Sequence, residues 1–93
     1  MDREIFEDVF DALADTPAEA ANMKARSELL SGIRVRVTSW ELTQEKAAVR
    51  LGVTRPRLND LMRGKLDKFS LDALVNLATA AGFTLHIQMS EAA

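Results

Sequence analysis

The chain has no cysteine, one histidine, two prolines and four glycines in 93 residues. Without cysteine there is neither a disulfide framework nor a thiol nucleophile, and the composition fits a reducing compartment. One histidine, His86, makes no familiar zinc set when no thiol stands beside it. No apolar run approaches the ~20 residues that span a bilayer. The start, Met1-Asp2-Arg3-Glu4-Ile5, is acidic and lacks a signal-peptide core, so a cytoplasmic protein is expected. No helical pattern joins a basic face to large apolar anchors, so a membrane partner is not implied. Gly32, Gly52, Gly64 and Gly82 follow the logic of helix ends and build no phosphate-cradling loop. The carboxylates of residues 2–15 scatter around a helix instead of converging as an acid–base pair. No catalytic residue, metal ligand or cofactor is therefore indicated, and the chain reads as a non-enzyme.

What is present is an ordinary globular composition: 47% hydrophobic and 28% charged residues, enough for one domain with a modest core. The net charge is −2, but it is unevenly placed. Residues 1–30 hold eight acids and three bases, residues 31–68 nine bases and four acids, and residues 69–93 two acids and no base. A basic middle in an acidic chain is the footprint of a phosphate-binding surface, set against chance clustering.

The basic middle contains the most informative segment, residues 42–64. Thr43 is an N-cap whose hydroxyl can accept from backbone N–H groups one turn on. Glu45 suits the positive end of the helix that follows. Ala47, Ala48 and Leu51 form a narrow apolar face that lets a second helix cross closely. Gly52 stops the helix, and Val53 can plug the turn. Thr54 then caps a second helix, with Pro56 in its first turn, where a missing N–H costs little. Leu58, Leu61 and Met62 face inward. Arg55, Arg57, Asn59, Asp60 and Arg63 are left pointing outward or partly so. A helix opening with arginines after a tight turn can lie in the DNA major groove, where arginine and asparagine read base edges. The alternative is a helical hairpin with a solvated charged face.

Elsewhere, Ile5, Phe6, Val9, Phe10 and Leu13 predict a short amphipathic helix. Thr16-Pro17-Ala18-Glu19 is a capped helix start. A long helix follows, with Ala20, Met23, Leu30, Ile33 and Val37 inward and Trp40 and Leu42 anchoring its end. Ile33–Thr38 also alternates like a strand, but Ile33 and Val37 continue the upstream helical face, and helix is preferred. Ser70 caps a further helix carrying Leu71, Leu74, Val75, Leu77 and Ala78, ended by Gly82. Phe83, Leu85, Ile87 and Met89 alternate with Thr84, His86 and Gln88, which predicts a strand at 83–89. A lone strand leaves its backbone groups unpaired. Pairing with the same strand of a second copy about a two-fold axis is favoured over pairing with Ile33–Thr38 in the same chain. Residues 1–93 thus read as one mainly α domain. Residues 1–16 form an acidic N-terminal helix, 17–82 a helix-turn-helix core, and 83–89 a strand that pairs across a homodimer.

Leu42 to Gly64 resembles the Cro and phage-repressor (Xre) helix-turn-helix family through its Leu-Thr-Gln, Ala-Ala, Leu-Gly-Val and Arg-Gly-Lys elements. The wider stretch, from Ala21-Asn22-Met23-Lys24-Ala25-Arg26-Ser27-Glu28-Leu29 through Gly64-Lys65-Leu66-Asp67-Lys68-Phe69-Ser70-Leu71-Asp72 to Ala81-Gly82-Phe83, is similar to a branch of small regulators and HigA-like antitoxins, often encoded beside a RelE-like toxin. The resemblance implies a lambda-repressor-like helical bundle that binds double-stranded DNA, and the two-fold pairing of residues 83–89 adds the expectation of a palindromic operator. It implies that Gln44 and Thr54 contact the DNA backbone, and that Arg55, Pro56 and Asp60 stand where bases are read. Pro56 has no donor and Asp60 repels phosphate, so Arg55 leads as base reader, with Asn59 beside it. Arg57, Arg63 and Lys65 would hold phosphates. Two functions follow as expectations: a dimeric autorepressor, or an antitoxin whose acidic N-terminal thirty residues attract a small basic toxin. A solvated acidic face is the plainer reading of those thirty residues.

Overall fold

The computed structural model describes residues 16–91. The amphipathic helix expected over residues 5–13 lies outside them, as does most of the acidic 1–16 segment. Four α-helices form among the described residues: α1 (Pro17–Ser39), α2 (Gln44–Leu51), α3 (Arg55–Met62) and α4 (Leu71–Ala80). A single 3₁₀ turn, Leu66–Lys68, joins α3 to α4.

Each helix begins at a side-chain cap. The hydroxyls of Thr16, Thr43, Thr54 and Ser70 accept from the N–H groups of Glu19, Lys46, Arg57 and Ala73 at 3.1–3.2 Å. Each cap satisfies a donor the helix itself cannot pair. Pro17 and Pro56 stand in first turns, where no N–H is needed.

Ile33 to Thr38 is part of α1, so the strand alternative there is removed. The upstream helical face wins because Leu30, Ile33 and Val37 are all buried on it. Helix α1 packs chiefly on α4, and α2 on α3. Between them lie Ala47, Ala48, Leu51, Leu58, Leu61, Phe69, Leu74, Leu77, Ala78 and Ala81. Trp40 packs on the edge of this core. Leu42, expected to anchor beside it, is instead 40% exposed. The chain turns back there through Glu41, the only non-glycine residue among those described with a positive φ, 53°.

No strand forms among the described residues. Residues 83–91 take no regular secondary structure, and Leu85, Ile87 and Met89 are exposed at 40%, 79% and 92%. With Ile33–Thr38 helical, no strand among the described residues is there for residues 83–89 to pair with, and a ladder cannot form from one strand. Residues 83–88 of this arm line one side of an apolar groove of about 580 Å³, whose lining also includes Leu29, Gly32, Leu71 and Val75. No described helix is long and apolar enough to cross a membrane.

Candidate nucleic-acid interface

The turn between α2 and α3 follows from its sequence. Gly52 takes φ 75°, and the Val53 N–H reaches back to the Ala48 carbonyl at 3.0 Å. That bond satisfies a carbonyl at the end of α2 and turns Val53 onto the core. Thr54, extended at φ −74° and ψ 160°, caps α3 at once. Helix α3 then buries Leu58 and Leu61 at 1% exposure each, which fixes its outward face.

The outward face carries most of the predicted site. Gln44 is exposed at the first position of α2. Thr54, Arg55, Pro56 and Arg63 are exposed, and Asn59 and Asp60 half-buried. No hydrogen bond or ion pair with another described residue holds the side chain of Arg55 or Arg63. Thr54 uses its oxygen as acceptor, which leaves the hydroxyl proton for an outside acceptor. Asp60 lies 3.5 Å from Lys65 Nζ, with the two side chains 26% and 43% exposed. That pair is too wet to stabilise much, yet it gives the Asp60 carboxylate a competing partner.

Arg57 differs from the rest. Its guanidinium lies over the Phe69 ring, 4.2 Å from the centroid, and Nη1 donates to the Lys68 carbonyl at 2.8 Å. The side chain expected to hold phosphate is thus turned toward the turn that follows α3. The basic segment behaves this way repeatedly. Arg36 lies over Phe83 at 4.1 Å and donates to the Ala81 carbonyl at 3.3 Å, at the negative end of α4. Arg50 lies over Trp40 at 4.1 Å. Arg34 covers Gly64, where a Cβ would come within 3.2 Å of its Nη1. From outside the segment, Arg26 donates to the Leu66 and Phe69 carbonyls at 3.2 Å each.

Trp40, Phe69 and Phe83, the three aromatic residues among those described, each carry an arginine on the ring face. Counting charge along the chain missed these roles. The usable signal was the scarcity of aromatic residues beside a surplus of arginine over lysine. No group of histidine, cysteine, aspartate and glutamate suited to a metal exists among the described residues.

No curated protein matches this chain. A family model described as a helix-turn-helix domain matches residues 12–90, which takes in all four helices and nearly all of the C-terminal arm. With the capped pair α2–α3 and its glycine turn in place, the chain belongs to the helix-turn-helix domain family.

Proposed function

We propose that this chain is a sequence-specific DNA-binding regulator of the Xre type that represses its own promoter as a dimer. One observation carries the reading: α3 buries Leu58 and Leu61 and leaves Arg55, Pro56 and Arg63 on the surface, with no partner for either guanidinium among the described residues. Arg55 is the base reader, bidentate on a guanine edge. Pro56 offers only apolar contact, for instance with a thymine methyl. Asn59 and Asp60 follow along the groove. Gln44, Thr54, Arg63 and Lys65 hold phosphates and set the register, while carrying no sequence information themselves.

The dimer forms through residues 83–89. Beyond Phe83 their apolar face is exposed, and antiparallel pairing about a two-fold axis would satisfy the backbone and cover Leu85, Ile87 and Met89 together. A two-fold protein then reads a palindromic site with half-sites about one helical turn apart.

The test is retardation of a duplex from directly upstream of the chain's own gene, at two salt concentrations, beside a random duplex. Binding that is tighter on the upstream duplex and weakens steeply with salt supports the reading. Arg55→Ala should then lose about 1–3 kcal/mol on the preferred site alone. Absence of retardation at low salt refutes it.

A second reading, an antitoxin that neutralises a small basic RelE-like toxin, is favoured by the eight acids and three bases of residues 1–30. Opposite fields speed such an association. A neighbouring gene for a small basic protein that co-purifies with this chain supports it, and its absence leaves the regulator alone.

A further inference from the structure

We propose that Arg57 is a positioning residue: it fixes the angle at which α3 meets DNA and does not itself contact phosphate. This rests on the DNA-binding reading above and reassigns one residue within it.

Arg57 is the third residue of α3, in the same first turn as Arg55, and its own N–H is the one that Thr54 caps. Its backbone therefore belongs to the fixed start of the helix that reads DNA. Its side chain leaves in the other direction. The guanidinium sits flat enough on Phe69 to bring Cζ 4.2 Å from the ring centroid, and Nη1 ends on the Lys68 carbonyl at 2.8 Å. Phe69 is 1% exposed and lies in the core. The far end of the tether is thus anchored in the core.

The turn it grips is held from the other side as well. Arg26, on α1, donates to the carbonyls of Leu66 and Phe69. Two arginines from two helices hold three of the four carbonyls from Leu66 to Phe69. Ser70, the next residue, caps α4. Rotating α3 about its axis would pull Arg57 off Phe69 and break its bond to Lys68. Arg55, two residues earlier on the same turn, would move with it.

A planar guanidinium suits this task and an ammonium does not. It can stack on a ring and donate in its own plane at once, whereas lysine offers a point charge on a flexible stem. A phosphate contact makes no such demand. Charge is what neutralises phosphate, and either residue supplies it.

The two roles separate experimentally. Arg57→Ala and Arg57→Lys are compared with wild type on the upstream duplex and on a random duplex across a salt series, well below the unfolding temperature. A positioning role predicts that both variants lose about five- to 150-fold on the upstream duplex, the range of one displaced base contact. Random-duplex binding stays near wild type. The salt slope changes by less than the ~0.9 per subunit that one lost phosphate contact produces. Equal loss on both duplexes with the slope reduced by that amount, or full rescue by lysine, overturns the proposal.

A reading without DNA keeps the two hypotheses apart. In the free protein the Arg57 side-chain protons nearest the ring should show upfield ring-current shifts that vanish in Phe69→Leu. If those shifts are absent, the clamp is wrong whatever the DNA does. If they are present and wild type binds no DNA, the regulator reading falls and takes the positioning role with it.

Discussion

One substitution, glycine to alanine, should change stability in opposite directions at two places in this chain. Gly32 lies inside α1, and a Cβ built there meets nothing within 4 Å. Glycine in a helix interior is about 0.5–1 kcal/mol worse than alanine, because it loses more backbone freedom on folding. Gly32→Ala should therefore stabilise by roughly that amount. Gly52 also has open space around its would-be Cβ, but its φ is 75°. An L-residue held there costs about 1–2 kcal/mol. The reduced freedom of the unfolded chain returns only about 0.4–1 kcal/mol. Gly52→Ala should lose about 1 kcal/mol net, with no clash to blame.

Gly64 adds a neighbour to the comparison. Its φ is 71°, and a Cβ would lie 3.2 Å from Arg34 Nη1 and 3.7 Å from Cζ. The guanidinium must shift, so Gly64→Ala should lose more than Gly52→Ala. In an Arg34→Ala background the excess should vanish. Urea unfolding followed by Trp40 fluorescence and far-ultraviolet dichroism measures all of these, and each 1 kcal/mol should move Tm by roughly 4–8 °C. The same sign at Gly32 and Gly52 would refute the assignment of left-handed backbone to the α2–α3 turn. An excess at Gly64 that survives removal of Arg34 would refute the contact between them.

Three further outcomes test other parts of the structure. Leu74, 0% exposed between α1 and α4, should lose about 2–5 kcal/mol on truncation to alanine, seen as a lower urea midpoint at unchanged slope. Thr54→Ala should remove about 1 kcal/mol of stability with the cap of α3, and Thr54→Ser should restore most of it by the same measurement. If residues 83–89 pair across a dimer, Ile87→Asp should yield a monomer in sedimentation while the helical dichroism persists; an unchanged dimer would place the interface elsewhere.

The local code of this fold was open to reading because it depends on neighbours in sequence. Four caps, two first-turn prolines and the left-handed glycine after α2 each act within a turn or so of their own position. The inward faces followed from the 3.6-residue period, which also decided Ile33–Thr38 in favour of helix. What could not be read was where long side chains end. Arg26 reaches carbonyls 40 and 43 residues away, and Arg36 one 45 residues away. No spacing rule carries that information. Leu42 failed for a related reason: hydrophobicity alone does not say which side of a turn faces the core, and Glu41 turns the chain so that Leu42 faces out. The strand expected at 83–89 is a different case, since its ladder needs a partner strand that the described residues do not contain.

The internal use of arginine sets a bound that the charge count does not. Residues 31–68 hold nine bases. Arg36, Arg50 and Arg57 lie on rings, and Arg34 covers Gly64. That leaves Lys46, Arg55, Arg63 and Lys68 exposed, and Lys65 exposed but paired with Asp60. Were all nine bases on phosphate, a dimer would show a slope of log affinity against log salt near −16, at about −0.9 per contact. With these five per subunit as the ceiling, the segment can supply no more than about −9. The slope measured on the upstream duplex therefore tests the structure as well as the function. A value clearly steeper than about −9 would mean either that arginines leave their rings on binding or that bases outside the segment take part. Repeating the measurement with Arg36→Ala, Arg50→Ala and Arg57→Ala in turn separates the two: an arginine that stays on its ring leaves the slope unchanged, and one that moves to phosphate lowers it by about 0.9 per subunit.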